Sequence, residues 1–373
     1  MSTSAKNTGF YFDEKSFWHG GGDFALTFPV GGLVQPLVAG GLPEAPETKR
    51  RFKNLMDVTG LSEELTLSSA RACTDEELAL VHPVDFLSKF KELSDAGGGN
   101  LGLRTPFLKG GYELAALSAG LSRAALSDVL TGKLQNAYAL SRPPGHHCLP
   151  EWPNGFCLLA NVAIAIEAAK AAGEAKRFAV IDWDVHHGNG TEHIFYKRDD
   201  VLTISIHEEN NYPVDTGALA DKGKGVGLGY NMNIPLPPGS GHNTYLEAMD
   251  KLVVPAFERF KPDVIIVACG YDAGTYDPLG HQLCTVETFR QMTRRVREAA
   301  ERLCDGKLMM AHEGGYSEVY VPFCGHAVME EMSGSSTRAP DPMAEVVAAR
   351  QPNARVEAFF SSLIDEMALE HFG

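Results

Sequence analysis

From about residue 135 onward, the chain alternates short apolar runs with longer segments in which apolar residues recur every three to four positions. The short runs are residues 137–140, 178–182, 201–207, 231–236, 264–269 and 307–311, most of them near-continuous in apolar residues. Runs of this kind are expected of strands covered on both faces, as in a buried parallel sheet. Residues 111–131 and 158–172, rich in Ala and Leu, and residues 244–260 and 286–303 read as helices. The alternation of strand and helix predicts a parallel sheet with crossover helices. No internal repeat, low-complexity tract or Pro/Ser linker divides the chain, and Gly97-Gly98-Gly99 and residues 333–341 are too short to do so. Residues 1–373 are therefore expected to form a single α/β domain.

Composition narrows the class. With 44% hydrophobic and 22% charged residues, the chain is that of an ordinary packed protein rather than a disordered or fibrous one. The formal charge of −15 repels phosphate backbones and anionic lipid, so neither nucleic acid nor a membrane is expected as partner, and it draws cationic molecules instead. Seven cysteines without a CxxC pair fit neither a disulfide framework nor a cysteine-rich zinc module, and a reducing cytoplasm is the expected location. The N-terminus lacks an apolar segment of signal-peptide length, and no run of about 18 apolar residues occurs.

In an open parallel sheet, ligands collect at the carboxyl ends of the strands, so the polar residues after each apolar run carry the candidate chemistry. After the first run comes RPPGHH, with His146 and His147 on a loop stiffened by Pro143 and Pro144. A lone histidine is ordinarily structural, whereas two in tandem on a loop tip favour function. The run 178–182 leads into DWDVHHGNG, where Asp182, Asp184 and His186 alternate and so point to one side if the backbone stays extended. Carboxylate oxygen and imidazole nitrogen are zinc ligands, and a catalytic zinc takes three of them and keeps one position open. A third ligand is offered by Asp272, which follows the most apolar run; the plain alternative is a cap of the next turn. Finally HEGGY brings Tyr316 to the same rim, where a phenol can donate to a developing oxyanion, although a tyrosine after a Gly-Gly turn is also a common surface feature.

The motifs RPPGHH, DWDVHHGNG, GYDAGTYDPLG and EGGY, with TGFYFDE and PETKRR near the start, resemble the histone deacetylase family. The likeness is to its class II branch and to the bacterial acetylpolyamine and deacetylase-like amidohydrolases, and it runs over nearly the whole chain to about residue 335. It implies the arginase/deacetylase fold, a single domain with a central parallel sheet of about eight strands flanked by helices. It also implies one catalytic zinc on Asp184, His186 and Asp272. Asp182 then becomes the partner of His146, and Asn189 that of His147. Class I members carry Asp at the position of Asn189; an amide favours a charged imidazolium less than a carboxylate does, so His147 is expected to be the more easily neutral of the pair. In the implied mechanism zinc and Tyr316 polarise the amide carbonyl, His147 takes a proton from the attacking water, and a histidine of the pair protonates the leaving amine. One or two structural potassium ions are implied as well, the first on Asp182, Asp184, His186, Ser205 and Ile206. The second falls on Phe195, Arg198, Val201 and Tyr230, where Arg198 replaces a smaller residue but could still offer its carbonyl. The substrate tunnel would be lined by Gly155, Phe156 and Tyr212, with Leu279 at the rim and Gly315 beside Tyr316. Tyr212 stands where phenylalanine is usual and adds a hydroxyl at the mouth.

The expected function is that of a zinc-dependent amidohydrolase acting on an acylated amine such as acetyl-lysine, with an acetylated polyamine or another small or xenobiotic amide as the alternative. Polyamine-selective relatives often place an acid at the rim, in one branch at the position of Leu279, so a polyamine is disfavoured unless Glu208, Glu209 or an acid from a neighbouring subunit of a homo-oligomer takes its place. The loop at residues 97–100 lacks the carboxylate that grips peptide backbones in many deacetylases, Asp95 being the nearest candidate. Manganese ureohydrolases share the fold, but they need a second Asp where this chain has Gly274. A non-catalytic protein that binds acylated metabolites is disfavoured by the intact set of ligands, histidines and tyrosine.

Overall fold

All six apolar runs become strands of one sheet in the computed structural model, which describes residues 7–22, 24–35 and 41–373. In chain order the sheet strands are β1 (Thr8–Tyr11), β2 (Thr66–Ser68), β3 (Asn136–Ala139), β4 (Phe178–Asp182), β5 (Val201–Glu208), β6 (Asn231–Leu236), β7 (Val264–Cys269) and β8 (Leu308–His312). They lie in the order β6-β5-β4-β7-β8-β3-β1-β2, and every pairing is parallel. The eight-stranded parallel sheet matches the implied fold. Periodicity did not find β1 and β2: they hold one edge with four and three residues, too few to form a recognisable run.

The near-continuous apolar runs are explained by the two layers they serve. Ala179 and Ile181 of β4, Ile265 and Val267 of β7, and Leu308 and Met310 of β8 pack into one core layer. The residues between them, Phe178, Val180, Val264, Ile266, Met309 and Ala311, pack into the other. With both faces buried, successive side chains must all be apolar. The helix Val286–Leu303 forms as predicted, capped by Thr285 and burying Phe289, Met292, Val296 and Ala300 at helical spacing. The expected helix 244–260 is instead three pieces, His242–Ala248, a π-helical turn Met249–Val253 and Val254–Phe260. Pro255 accounts for the break, because it has no N–H for the carbonyl one turn earlier and a wider turn accommodates it. Segment 158–172 is helical only over Asn161–Ala171; ahead of it the Ala160 N–H donates to His82 Nε2 at 3.1 Å rather than to a helical carbonyl. The seven cysteines are buried and free, and no helix among the described residues is long and apolar enough to cross a membrane.

A buried ionic cluster ties the N-terminal segments to the loop after β3. Lys49 Nζ and Arg142 Nε both donate to Glu44 Oε1, at 2.9 and 3.1 Å. Arg142 also donates to the carbonyls of Phe17 and His19 at 3.1 and 2.8 Å and to that of Glu44 at 3.0 Å. Burial alone would raise the Glu44 pKa, but the charges of Arg142 and Lys49 hold it at about 2. Because the folded value lies below the ordinary carboxylate value, the contribution to stability is present at neutral pH and is lost only as pH falls toward about 2. Glu44→Gln leaves two buried cations without a counter-charge, so it is expected to destabilise the fold by about 3 to 5 kcal/mol and lower Tm by about 4 to 6 °C for a chain of this length. Differential scanning calorimetry at neutral pH checks this, and a Tm within a degree of wild type would show that the cluster contributes little.

Candidate active site

The loops after β3, β4, β7 and β8 meet at the carboxyl end of the sheet. Asp184 and His186 follow β4, and Asp272 follows β7. His186 Nδ1 lies 3.1 Å from Asp184 Oδ1 and 3.1 Å from Asp272 Oδ2. Ligand atoms of the three residues fall within 4.8 Å of one another, and all three side chains are buried. Backbone donors fix the carboxylates: Val185 N–H donates to Asp272 Oδ1 at 2.8 Å, and Gly314 N–H to Asp184 Oδ2 at 2.7 Å. The approach is so close that a Cβ on Gly270 would stand 2.2 Å from Asp184 Oδ2, and one on Gly314 2.2 Å from Asp272 Oδ2. Burial, and next the charge of Asp184, push Asp272 up to about 6. Two dry carboxylates facing a nitrogen that can donate one proton are short of positive charge, and a divalent cation supplies it. The donor types and their number suit zinc.

Asp182 is turned away from this point. Its Oδ2 accepts from His146 Nδ1 at 2.9 Å and its Oδ1 accepts the Asp184 N–H at 3.0 Å. The second histidine, His147, has Nδ1 2.9 Å from Asn189 Oδ1. An amide oxygen can only accept, so Nδ1 carries the proton and Nε2 keeps its lone pair. Burial opposes a charge on His146, but Asp184 and Asp182 outweigh it and raise its pKa to about 10. Burial lowers the pKa of His147 well below the ordinary value, and a charged His146, whose ring centroid is 3.9 Å away, lowers it further. Asp184 and Asp182 on one side, and burial beside a charged neighbour on the other, thus set the two imidazoles to opposite protonation.

A cavity of about 180 Å³ opens onto this cluster between His147, Gly155, Phe156, His186, Tyr212, Leu279 and Tyr316, with Thr27, Arg104 and Asn211 completing the wall. Gly155, Phe156, Tyr212 and Leu279 line this cavity, whereas Gly315 does not and faces Tyr271 and Val321. The Tyr316 hydroxyl makes no hydrogen bond to the described residues, and burial together with Asp272 and Asp184 keeps it protonated, a donor. Asp277 positions this part of the wall, accepting the Tyr316 N–H at 2.7 Å and the Leu279 N–H at 2.9 Å. The Tyr212 hydroxyl does not reach the mouth as a free polar group. It donates to Asn154 Oδ1 at 3.0 Å, and Asn154 Nδ2 donates to the His147 carbonyl at 2.5 Å. Glu208 is also not a rim acid: it is buried, and its oxygens accept from the His281 backbone and ring, each at 2.7 Å. Asp95 pairs with Lys91 and is absent from the cavity wall.

The histidine and aspartate pattern is matched along the chain as a whole, because residues 42–332 fit the model of the histone deacetylase domain. The chain belongs to the histone deacetylase family. It is 53% identical over 365 residues to a histone deacetylase-like amidohydrolase of Pseudomonas aeruginosa, covering 98% of this chain and 96% of that one. It is 35% identical to histone deacetylase 8 of Arabidopsis thaliana over 78% of this chain and 79% of the other. Among solved structures, the HD domain of HDA15 superposes with a TM-score of 0.80 at 31% identity, covering 98% of both chains. The protein is thus a deacetylase-type amidohydrolase by family.

Of the family's ion-binding positions, Asp182 and Ser205 pair in register across β4 and β5, with Ile206 next along β5. At the second set the Arg198 guanidinium is held by Asp200 and Glu167, at 2.7 and 2.8 Å, so Arg198 has only its backbone carbonyl to offer. Arg104, Asn154, Asp277 and Glu313 went unnoticed in the sequence. Glu313 accepts the N–H groups of Gly145 and His146 at 2.7 and 3.1 Å and so fixes the histidine loop. Its place beside Gly314 in HEGGY was the one available signal. Asn189→Asp puts a carboxylate against His147 and is expected to raise the pH at which that imidazole protonates by about one unit or more. Proton NMR titration of the imidazole reports this directly, and an unchanged midpoint would mean that Asn189 does not set the basicity of His147.

Proposed function

We propose that the protein is a zinc-dependent deacetylase that hydrolyses the amide of an acylated amine, acetyl-lysine being the model substrate. The observation that carries this reading is the convergence of Asp184, His186 and Asp272 at the base of a cavity that also presents a neutral imidazole and an unpaired phenol. When bound to these three residues, zinc supplies a Lewis acid that polarises the acyl oxygen and makes water more acidic.

The remaining steps fall to the protein's own groups. His147 lines the cavity with its lone pair on Nε2 and takes the proton of the attacking water. The Tyr316 hydroxyl donates to the oxygen that becomes negative as the tetrahedral centre forms. The proton held on His147 then passes to the leaving nitrogen, so that water and amide become carboxylic acid and amine. His146 lies off the cavity wall, with its Nε2 3.9 Å from Asp184 Oδ2, and acts as a fixed positive charge rather than a proton carrier. Asp182 and Asn189 hold the two rings. Potassium on Asp182, Asp184, His186, Ser205 and Ile206, and on Phe195, Arg198, Val201 and Tyr230, would stiffen the loops on either side of β5. The ureohydrolase alternative is disfavoured by Gly274, which offers no carboxylate to a second metal.

A fluorogenic acetyl-lysine substrate is expected to be hydrolysed by the purified protein, with activity lost to a chelator and restored by one equivalent of zinc. Tyr316→Phe is expected to lower kcat by roughly two to three orders of magnitude while leaving zinc content unchanged. Two manganese ions per chain, or near-normal turnover in the phenylalanine variant, would overturn the assignment.

A further inference from the structure

Arg104 brings a fixed positive charge to a cavity whose outer wall is otherwise neutral. Its guanidinium lies over the Tyr212 ring, 5.2 Å from the centroid, and no carboxylate among the described residues pairs with it. The backbone holds it there: the Arg104 carbonyl accepts the Phe156 N–H at 3.0 Å, and the Leu103 carbonyl accepts the Gly155 N–H at 3.0 Å. Arg104 and Phe156 have φ of 59° and 70°, a left-handed conformation that residues with side chains seldom adopt. Such outliers persist where surrounding contacts enforce them, and they cluster at ligand-contacting positions.

Among the described residues, the acids near this wall are already engaged by other groups. Glu208 is occupied by His281, and Asp277 by the Tyr316 and Leu279 amides. Leu279 is apolar and packs with Phe24, Leu42 and Phe156. A substrate entering with its acyl group toward His186 and Tyr316 therefore keeps its distal end beside one unpaired guanidinium.

We propose that Arg104 is the specificity-determining residue of this tunnel, favouring acylated amines whose distal end carries a carboxylate and disfavouring those with a distal ammonium, such as acetylated diamines and polyamines. The inference rests on the deacetylase reading of the site. A guanidinium and a unit charge several ångströms apart in a half-buried wall change kcat/KM by roughly tenfold for each sign of charge. Added salt narrows that difference.

Three substrates isolate the effect: 6-acetamidohexanoate, N-hexylacetamide and N-acetylcadaverine share the acetamide and five methylenes and end in a negative, neutral and positive group. For the wild-type enzyme kcat/KM is expected to fall in that order. Arg104→Lys should keep the order, Arg104→Gln should bring the three to within about threefold, and Arg104→Glu should invert the order. Calorimetric Kd values of the same three amides for wild type and Arg104→Glu give the order without turnover. Hydrolysis of the neutral amide with an order unmoved by Arg104→Glu would overturn the role of Arg104 and leave the deacetylase reading standing, as would an equal loss on all three substrates. Failure of the wild type to hydrolyse any of the three or acetyl-lysine would overturn both.

Discussion

Holding Asp184 and Asp272 ionised and dry against a single imidazole is the constraint on which the rest of the site depends. Unpaired carboxylates in a buried place gain protons rather than charge, and Asp272 already shows this with a pKa pushed up to about 6. The fold works against that tendency by aiming backbone N–H groups of Val185, His186 and Gly314 at the carboxylate oxygens. Those donors can approach because Gly270 and Gly314 put no side chain in the way. The backbone thus prepares a place for a cation before one arrives, and the strand ends must be packed tightly enough to keep water from doing the same.

The same negative charge governs the histidines one layer away. Asp184 and Asp182 hold a proton on His146, and burial together with that neighbouring charge keeps His147 neutral. A base and a cation therefore arise from two adjacent identical side chains, distinguished by Asp182 behind one and Asn189 behind the other. Their loop is held at two points by buried polar groups: Arg142 binds Glu44 at its start, and Glu313 binds the amides of Gly145 and His146 at its middle. Fixing the loop this way costs the desolvation of several ionised groups, which is justified where ring positions must be reproducible to fractions of an ångström.

What was legible in the sequence follows from range. An apolar run that ends in a charge can be read locally, so six of the eight strands were legible, as were Asp182, Asp184, Asp272 and Tyr316 as polar residues at or after their ends. Contacts between distant segments leave no local mark. Glu44 and Arg142 are 98 residues apart, Gly145 and Glu313 168, and nothing in either neighbourhood announces its partner. Short strands at the sheet edge were missed for a related reason, since β2 has three residues and only partial burial. The Tyr212 hydroxyl, placed at the mouth by simple substitution for phenylalanine, is in fact taken up by Asn154, because a buried polar group finds the nearest partner available.

Net charge illustrates the same limit at the scale of the whole molecule. A formal charge of −15 favours the approach of cations from a distance. Close to the site, however, the field is set by the few groups not already paired. Glu208, Asp277 and Asp95 are each engaged by a nearby donor, and among the described residues the unpaired charge on the wall is the guanidinium of Arg104. Within a Debye length the local charge outweighs the global one, so an acidic protein can present a basic threshold to its own active site.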